Sequence, residues 1–363
     1  MKGIVSTLIT AFGIMLGGIT IMAISVGLLG TTPEALTESD VGERKTDSIS
    51  QPFSSVSVDV WDTDVEIVPS QDGGVSVSHY DTEKVSYSIL VTEGVLEIRG
   101  VDLRKWYERI QFFSFKTPTL TVALPKGEYQ NLTAKVRSNA LTVCEGIVFD
   151  RATATVTSGT IRYCADVKQT LIANVSSGKL SVTGISVNEI SGTVTSGRLE
   201  VDNVTCGQMN LKATSGACDV ENITCDRLTL VTTSGGCDVE NVTCDYLTLE
   251  GTSGSVEAEH IVASEAFSLK HTSGTVALTD VISRGNLLVK NTSGSIRLDR
   301  CDGGYISIQT TSGSVRGTVC SEKVFNATST SGSVRVPSSV PNADLCEIKT
   351  SSGSIKISIA EQE

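Results

Sequence analysis

The sequence predicts an all-β fold: a single-stranded β-solenoid, or β-helix, of about 12 coils with 19–20 residues per coil, preceded by one transmembrane helix. Three observations predict it. A Ser-Gly pair recurs at near-constant spacing along the second half of the chain. Around each pair, apolar and polar residues alternate with period two, the signature of a strand with one buried face. An uncharged run opens the chain.

That opening run, from Gly3 to Thr32, follows Met1 and Lys2 and is rich in Ile, Leu, Met and Gly. About 20 apolar residues cross a bilayer core, and this run is longer. A cleavable signal peptide would carry an apolar region of about 7–15 residues and then an A-x-A-like site. Here the run continues to Leu29 and ends GLLGTTP. Residues 1–30 are therefore read as an uncleaved membrane anchor, since a helix apolar on every face does not suit a soluble surface. Lys2 precedes it, and Glu34, Glu38, Asp40 and Glu43 follow it, which places the N-terminus inside and the bulk of the chain outside. The expected location is the cell membrane, single-pass. Residues 31–50 are polar with one Pro and read as a juxtamembrane linker.

Residues 51–131 read as a capping module of less regular strands: VSVDVWDTDVEIVP, VSVSHY, VSYSIL, VLEIRG and LTVALPKGEY. Trp61, Trp106, Tyr107, Phe112, Phe113 and Phe115 all fall here. A cap over the open end of a repeat array accounts for them, because such arrays need closed ends. The block KWYERIQFFSF, Lys105–Phe115, also suits contact with lipid headgroups or a partner.

Residues 132–363 read as the solenoid of TSG repeats. The pairs are Ser158-Gly159, Ser177-Gly178, Ser196-Gly197, Ser215-Gly216, Ser234-Gly235 and Ser253-Gly254. They continue as Ser273-Gly274, Ser293-Gly294, Ser312-Gly313, Ser331-Gly332 and Ser352-Gly353. Successive steps are 19, 19, 19, 19, 19, 20, 20, 19, 19 and 21 residues. Ser138-Asn139 is a degenerate first member. The spans Cys218–Leu230 and Cys237–Leu249 differ at only two of thirteen positions. Three residues after the serine stand Ile161, Leu180, Leu199, Cys218, Cys237 and Val256; six before it stand Leu171, Ile190, Met209, Leu228, Leu247 and Phe267. Both columns face inward. A propeller would need about 40 residues or more per blade. Glycine supplies a left-handed turn, and the preceding Thr or Ser column can ladder hydroxyls between coils. The serines are structural turns and not nucleophiles, because His271 alone lies near one.

Ten cysteines follow the repeat: Cys144 and Cys164; Cys206, Cys225 and Cys244; Cys218 and Cys237; Cys301 and Cys320; and Cys346 alone. In-register strands hold stacked Cβ atoms about 4.8 Å apart, beyond the usual disulfide range of about 3.5–4.5 Å. Stacked free thiols fit best, with some disulfides as the alternative; zinc is weakest without a CxxC.

Acidic residues outnumber basic ones, 41 to 29, a net charge of −12 that argues against a nucleic-acid partner. Two columns concentrate this charge: Glu200, Asp219, Asp238 and Glu257, and then Asp202, Glu221, Glu240 and Glu259. The first column later turns basic at Arg297, Arg316, Arg335 and Lys356. A solvated face explains the ladder; Ca²⁺ held by Asp219, Glu221, Asp238 and Glu240 is the sharper expectation. No other cofactor and no catalytic residue is expected. A polysaccharide-active β-helix enzyme would need paired carboxylates across a groove and aromatic faces for sugars. The repeats have carboxylates in columns but no Trp.

The strand FSSVSVDV, the central YSILVTEGVLEIRG, the KWYERI block and LTVALPKGEYQNLTAKV, followed by serial TSGS turns, resemble a bacterial family known as "putative adhesin". The similarity runs from about Phe53 to the C-terminus. The resemblance implies β-strand-repeat proteins with a domain of unknown function, surface-exposed and without known catalytic residues. Many relatives share a single N-terminal transmembrane segment, and some are associated with envelope-stress signalling. The expectation is a non-enzymatic, membrane-anchored adhesion or binding module whose partner is a protein or glycan. A structural or sensory part in an envelope-stress system is the alternative.

Overall fold

The computed structural model describes residues 42–104 and 118–361. The described chain is all β-structure, a solenoid of about 11 turns. The expected anchor and the Lys105–Phe115 block lie outside the described residues. Among the described residues, no helix is long and apolar enough to cross a membrane.

The central strands are β8 (Glu128–Val143), β9 (Val148–Tyr163), β10 (Asp166–Thr183), β11 (Ser186–Ser215) and β12 (Cys218–Ser234). They continue as β13 (Cys237–Ser253), β14 (Val256–Ser273), β15 (Val276–Ser293) and β16 (Ile296–Ser312). Each pairs in parallel with the next, and the repeat serines register one on another: Ser158 with Ser177, Ser177 with Ser196, Ser215 with Ser234. The predicted inward columns are buried through the central coils, Leu171, Ile190, Met209 and Leu228 in one and Ile161, Leu180, Leu199 and Cys218 in another, and open on the outermost coil, where Phe325 is half-buried and Val334 exposed. One continuous hydrophobic cluster runs from Val56 to Ile357. No coil could bury its apolar side alone, so the stack is the folding unit.

Two corners make the stacking work. At the Ser-Gly corner, φ is +134° at Gly197, +131° at Gly216 and +129° at Gly235, which L side chains rarely adopt. The glycines also touch: a Cβ on Gly216 would collide with the carbonyl oxygen of Gly197, and the same holds from Gly178 onward. The Gly216 amide donates to the Ser234 carbonyl at 2.9 Å, continuing the ladder around the bend. The second corner lies seven residues past the serine. Asn203, Asn222, Asn241, His260, Asp280 and Arg300 hold φ between +50° and +56° there. Asn suits this conformation because its short amide can bond locally. Here the amides ladder between coils: Asn222 Nδ2 donates to Asp202 at 2.9 Å, and Asn241 Nδ2 to Asn222 at 3.3 Å. The Asn-x-Thr triplets of this region therefore follow from corner geometry.

Both ends depart from a simple stack. At the start lie β1 (Glu43–Ile49), β2 (Ser55–Asp62), β3 (Asp64–Pro69), β4 (Val75–Asp81), β5 (Val85–Thr92), β6 (Val95–Asp102) and β7 (Thr119–Leu124). The β2–β3 segment is itself a coil, stacked in parallel on β8 with Asp62 opposite Ser138. Its other edge carries β6 and β7, later in sequence but further out in space. Antiparallel strands then cover that layer: β5 on β6, β4 on β7, and β1 on β4. Residues 43–49, inside the expected linker 31–50, thus form a strand. The core also crosses the expected boundary between residues 131 and 132, since β2–β3 pack as a coil on the repeats.

At the other end are β17 (Val315–Val319), β18 (Val324–Ser331), β19 (Val334–Arg335), β20 (Leu345–Ser352) and β21 (Ile355–Ile359). Sequence order would stack Ser331 on Ser312. Instead Ser352 lies on Ser312, and Ser331 on Ser352. The last coil is inserted beneath the one before it, with β18–β19 outermost. Phe325, on the outer strand, donates its amide to Ser339 Oγ at 2.9 Å, so the connecting segment lies along that edge. Lys323 locks the crossing. Its side chain is 1% exposed, its Nζ donates to the Gly303 carbonyl at 2.7 Å, and it pairs with Asp302 at 2.7 Å and Asp344 at 3.5 Å.

These contacts give two expected outcomes. Asn222→Ala destabilises the chain by about 1–2 kcal/mol in chemical denaturation, whereas Asn222→Gly keeps it within a few tenths. Lys323→Met leaves Asp302 without its buried cation and costs about 3 kcal/mol. Limited proteolysis then cuts first within residues 336–344, because the crossing segment loses its tether.

Candidate functional site

The strand entering each Ser-Gly corner presents Thr, Ser and Asn outward, forming one face of the solenoid. Next to the corner this face carries the row Thr233, Thr252, Thr272 and Thr292. Two positions earlier stand Val231, Glu250, Lys270 and Lys290, in register across four coils. Between these rows lies a groove of about 380 Å³, with Gly251 and His271 among its lining. Lys270 and Glu250 flank it at 3.8 Å.

The groove exists because an inward column changes character. Val136, Val156, Val175, Val194 and Ala213 occupy the position two before the repeat serine in the earlier coils. Further on, the same column reads Thr232, Gly251, His271, Asn291, Thr310 and Thr350. Where the geometry permits, these polar side chains bond the corner glycine carbonyl of the adjoining coil. Asn291 Nδ2 donates to Gly274 at 2.9 Å, Thr350 Oγ1 to Gly313 at 3.1 Å, and Ser329 Oγ to Gly353 at 2.8 Å.

His271 departs from that rule. It is 4% exposed, and neither ring nitrogen makes a hydrogen bond to a protein group. Its ring fills the space that Gly251 leaves open; a Cβ on Gly251 would stand 3.0 Å from Nε2. Burial lowers the imidazole pKa below its ordinary value, and the neighbouring Asn291 side chain offsets part of that. The ring is neutral at pH 7, with one N–H donor and one acceptor nitrogen. No serine hydroxyl bonds to it, so the pairing needed to activate a nucleophile is missing there. Asn291 Oδ1 and Thr310 Oγ1 are likewise buried without a protein partner. Each such group costs about 1–3 kcal/mol.

The carboxylate columns form as the spacing predicts. Glu200, Asp219, Asp238 and Glu257 stand in register, as do Asp202, Glu221, Glu240 and Glu259. Cations of neighbouring coils occupy the upper members: Lys179 pairs with Glu200 at 2.5 Å, and Arg198 with Asp219 at 3.4 Å. Burial, then Glu257 and Asp219, push the Asp238 carboxyl up. Among the described residues no group of three or more His, Cys, Asp or Glu converges as a metal site. The later basic column runs Arg297, Arg316, Lys356 and then Arg335, because the last two coils are exchanged.

All ten cysteines are free thiols. Cys206, Cys225 and Cys244 stack in register, 8%, 6% and 4% exposed, and Cys218 stacks on Cys237. Burial pushes the Cys218, Cys237 and Cys301 thiols up, so they sit protonated as small apolar side chains.

Sequence reasoning found the carboxylates and the turns but passed over the groove. The usable signal was the switch from Val to Thr, Gly, His and Asn at one inward position. The unpartnered state of His271 has no counterpart in the sequence.

A stacked parallel ladder with a glycine corner defines a β-solenoid repeat protein. The chain belongs to the family described as Toastrack DUF4097, a domain of unknown function, which matches residues 53–235 and 208–362. No curated protein matches it. Among solved structures it is similar to a "putative lipid binding protein" from Parabacteroides distasonis, at 12% identity over 87% of this chain and 97% of the other, with TM-score 0.33. It is also similar to a "putative adhesin" from Bacteroides fragilis, at 11% identity over 87% and 97%, with TM-score 0.27. A further "putative adhesin", from Parabacteroides distasonis, is 15% identical over 76% and 97%, with TM-score 0.30.

The lowered pKa of His271 has a direction in stability. The unfolded chain binds the proton at about pH 6.5, the folded chain only at lower pH. Stability is therefore lost as pH falls below about 6.5, until the folded pKa is passed. In urea melts at pH 7.5 and 5.5, His271→Gln should reduce the difference that the native chain shows.

Proposed function

We propose that this chain is a non-enzymatic surface module, anchored in the membrane by its N-terminal segment, whose solenoid binds a protein or glycan outside the cell. The observation that carries this reading is the in-register stack. It turns single repeat positions into linear rows of like side chains: threonines on one face, carboxylates and then cations on another. A row repeating every coil, about 4.8 Å apart, offers the same group many times over a rigid surface. That suits adhesion to an extended partner better than chemistry on one small substrate, which needs a few convergent groups. The uncharged Gly3–Thr32 run supplies the anchor and Lys2 the orientation.

Two measurements on cells making the full chain test this. Protease added to intact cells should release fragments of residues 53–363; protection of that whole span would defeat the topology. Cells making the chain should attach to protein- or polysaccharide-coated surfaces more than cells lacking it. Equal attachment by the two kinds of cell on every coating, with the chain shown to be exposed, would remove the binding reading.

A further inference from the structure

We propose that the groove between Lys270, Lys290 and the threonine row holds an acidic sugar unit of a polysaccharide. The two lysines and the His271 ring take its oxyanion, and the threonines take its hydroxyls. This deepens the binding reading above and rests on it.

Charge is segregated by face. The whole chain is at −12, yet from Lys212 onward the face entering the Ser-Gly corner carries Lys212, Lys270, Lys290 and Lys349 against Glu250 and Glu347. A local cationic field therefore stands on an otherwise acidic protein, where it can select an anionic ligand. Lys270 and Lys290 lie in register on adjoining coils, so one oxyanion can reach both ammonium groups. The groove, about 380 Å³, falls within the range of about 300–1,000 Å³ of small-ligand sites.

The remaining lining chooses among anions. Thr233, Thr252, Thr272 and Thr292 supply hydroxyls that both donate and accept, and Glu250 supplies a carboxylate that only accepts. A bare oxyanion has no donor for Glu250 and is repelled by it, whereas ring hydroxyls donate to it. Val231 is the single aliphatic side chain of the lining, and no Phe, Tyr or Trp is present, which disfavours a lipid tail or a stacked base. His271 adds the independent mark of a ligand. It is 4% exposed, lines the groove and, with the Asn291 side chain beside it, has neither nitrogen in a hydrogen bond, while in the same column Asn291 Nδ2 and Thr350 Oγ1 bond glycine carbonyls. A buried donor left in this way is satisfied by what enters the groove.

The test uses the detergent-solubilised full chain, immobilised, with polygalacturonate, dextran sulfate, neutral dextran and inorganic sulfate as probes. Binding of polygalacturonate or dextran sulfate is expected, whichever is tighter identifying carboxylate or sulfate as the oxyanion. Neutral dextran and inorganic sulfate should bind at least about tenfold more weakly. Lys270→Gln with Lys290→Gln should weaken the acidic polysaccharide about tenfold or more. Arg316→Gln with Lys356→Gln removes equal charge from two adjoining coils on the face beyond the Ser-Gly corner and should change it less than about twofold. His271→Leu, which keeps the bulk over Gly251, should weaken it about threefold or more.

Equal losses in the two double variants would mean nonspecific attraction and would overturn the site. So would no loss in His271→Leu, or inorganic sulfate binding as tightly as the polymers. Absence of binding to both acidic polymers overturns this inference alone if cells making the chain still attach to surfaces in the assay above; failure of attachment as well removes the broader reading.

Discussion

Everything in this fold depends on how closely two backbones approach at the Ser-Gly corner. Successive glycines stack with the carbonyl of one against the Cα of the next, leaving no room for a side chain. A positive φ at the same residues turns the chain while the amide still bonds the adjoining coil, as Gly216 does to Ser234. With that corner fixed, the residues on either side fall into register without further instruction, and the inward columns fuse into one core. The second corner is softer. It accepts Asn, His, Asp or Arg at φ near +50°, and inter-coil contacts such as the paired bonds from Arg300 to Asp280 at 2.6 Å support that conformation.

A stack of identical edges has a difficulty at its two ends, where unpaired strands invite pairing with other chains. This protein departs from a simple stack at both ends, by different means. At the start, antiparallel β1, β4 and β5 cover the outermost parallel layer, with His79 of β4 bonded across to Asp47 of β1 at 3.0 Å and along its own strand to Asp81 at 2.9 Å. At the finish, the last coil slides beneath the previous one, and Lys323 is buried where the two crossings meet. At the finish the outermost coil is not the last one in sequence, so β20 and β21 are held between neighbours, whereas at the start β1 stays an edge strand paired with β4.

Within this frame, function is a matter of what single columns present. Two members of the carboxylate ladder are paired, Glu200 with Lys179 and Asp219 with Arg198, while Asp238 feels its acidic neighbours Glu257 and Asp219. The groove over Gly251 is different, because it joins outward lysines to an inward histidine that no protein group satisfies. A protein that bonds most of its buried polar groups has left this one without a hydrogen bond, just beneath the surface where its cations gather. The seven buried thiols, by contrast, are packing: the Cys218 and Cys237 pair continues a column of leucines and valines.

The sequence by itself determined the coil, the two buried columns, the glycine turns and the carboxylate rows. It could do so because in a solenoid one repeat position is one place in space, so periodicity translates directly into side-chain stacking. The aliphatic-to-polar switch ending at His271 was written there too, readable only once that column was known to face inward. What the tertiary structure alone decided was adjacency. Every coil offers nearly the same edge above and below, so the spacing from Ser312 to Ser331 to Ser352 carries no record of which one lies against Ser312. That choice was made by the segment after Arg335, the burial of Lys323 and the closing of an exposed edge. The same reason hid the β2–β3 coil within the first module: its partners, β6 and β8, are brought to it by the fold and not by the order of the chain.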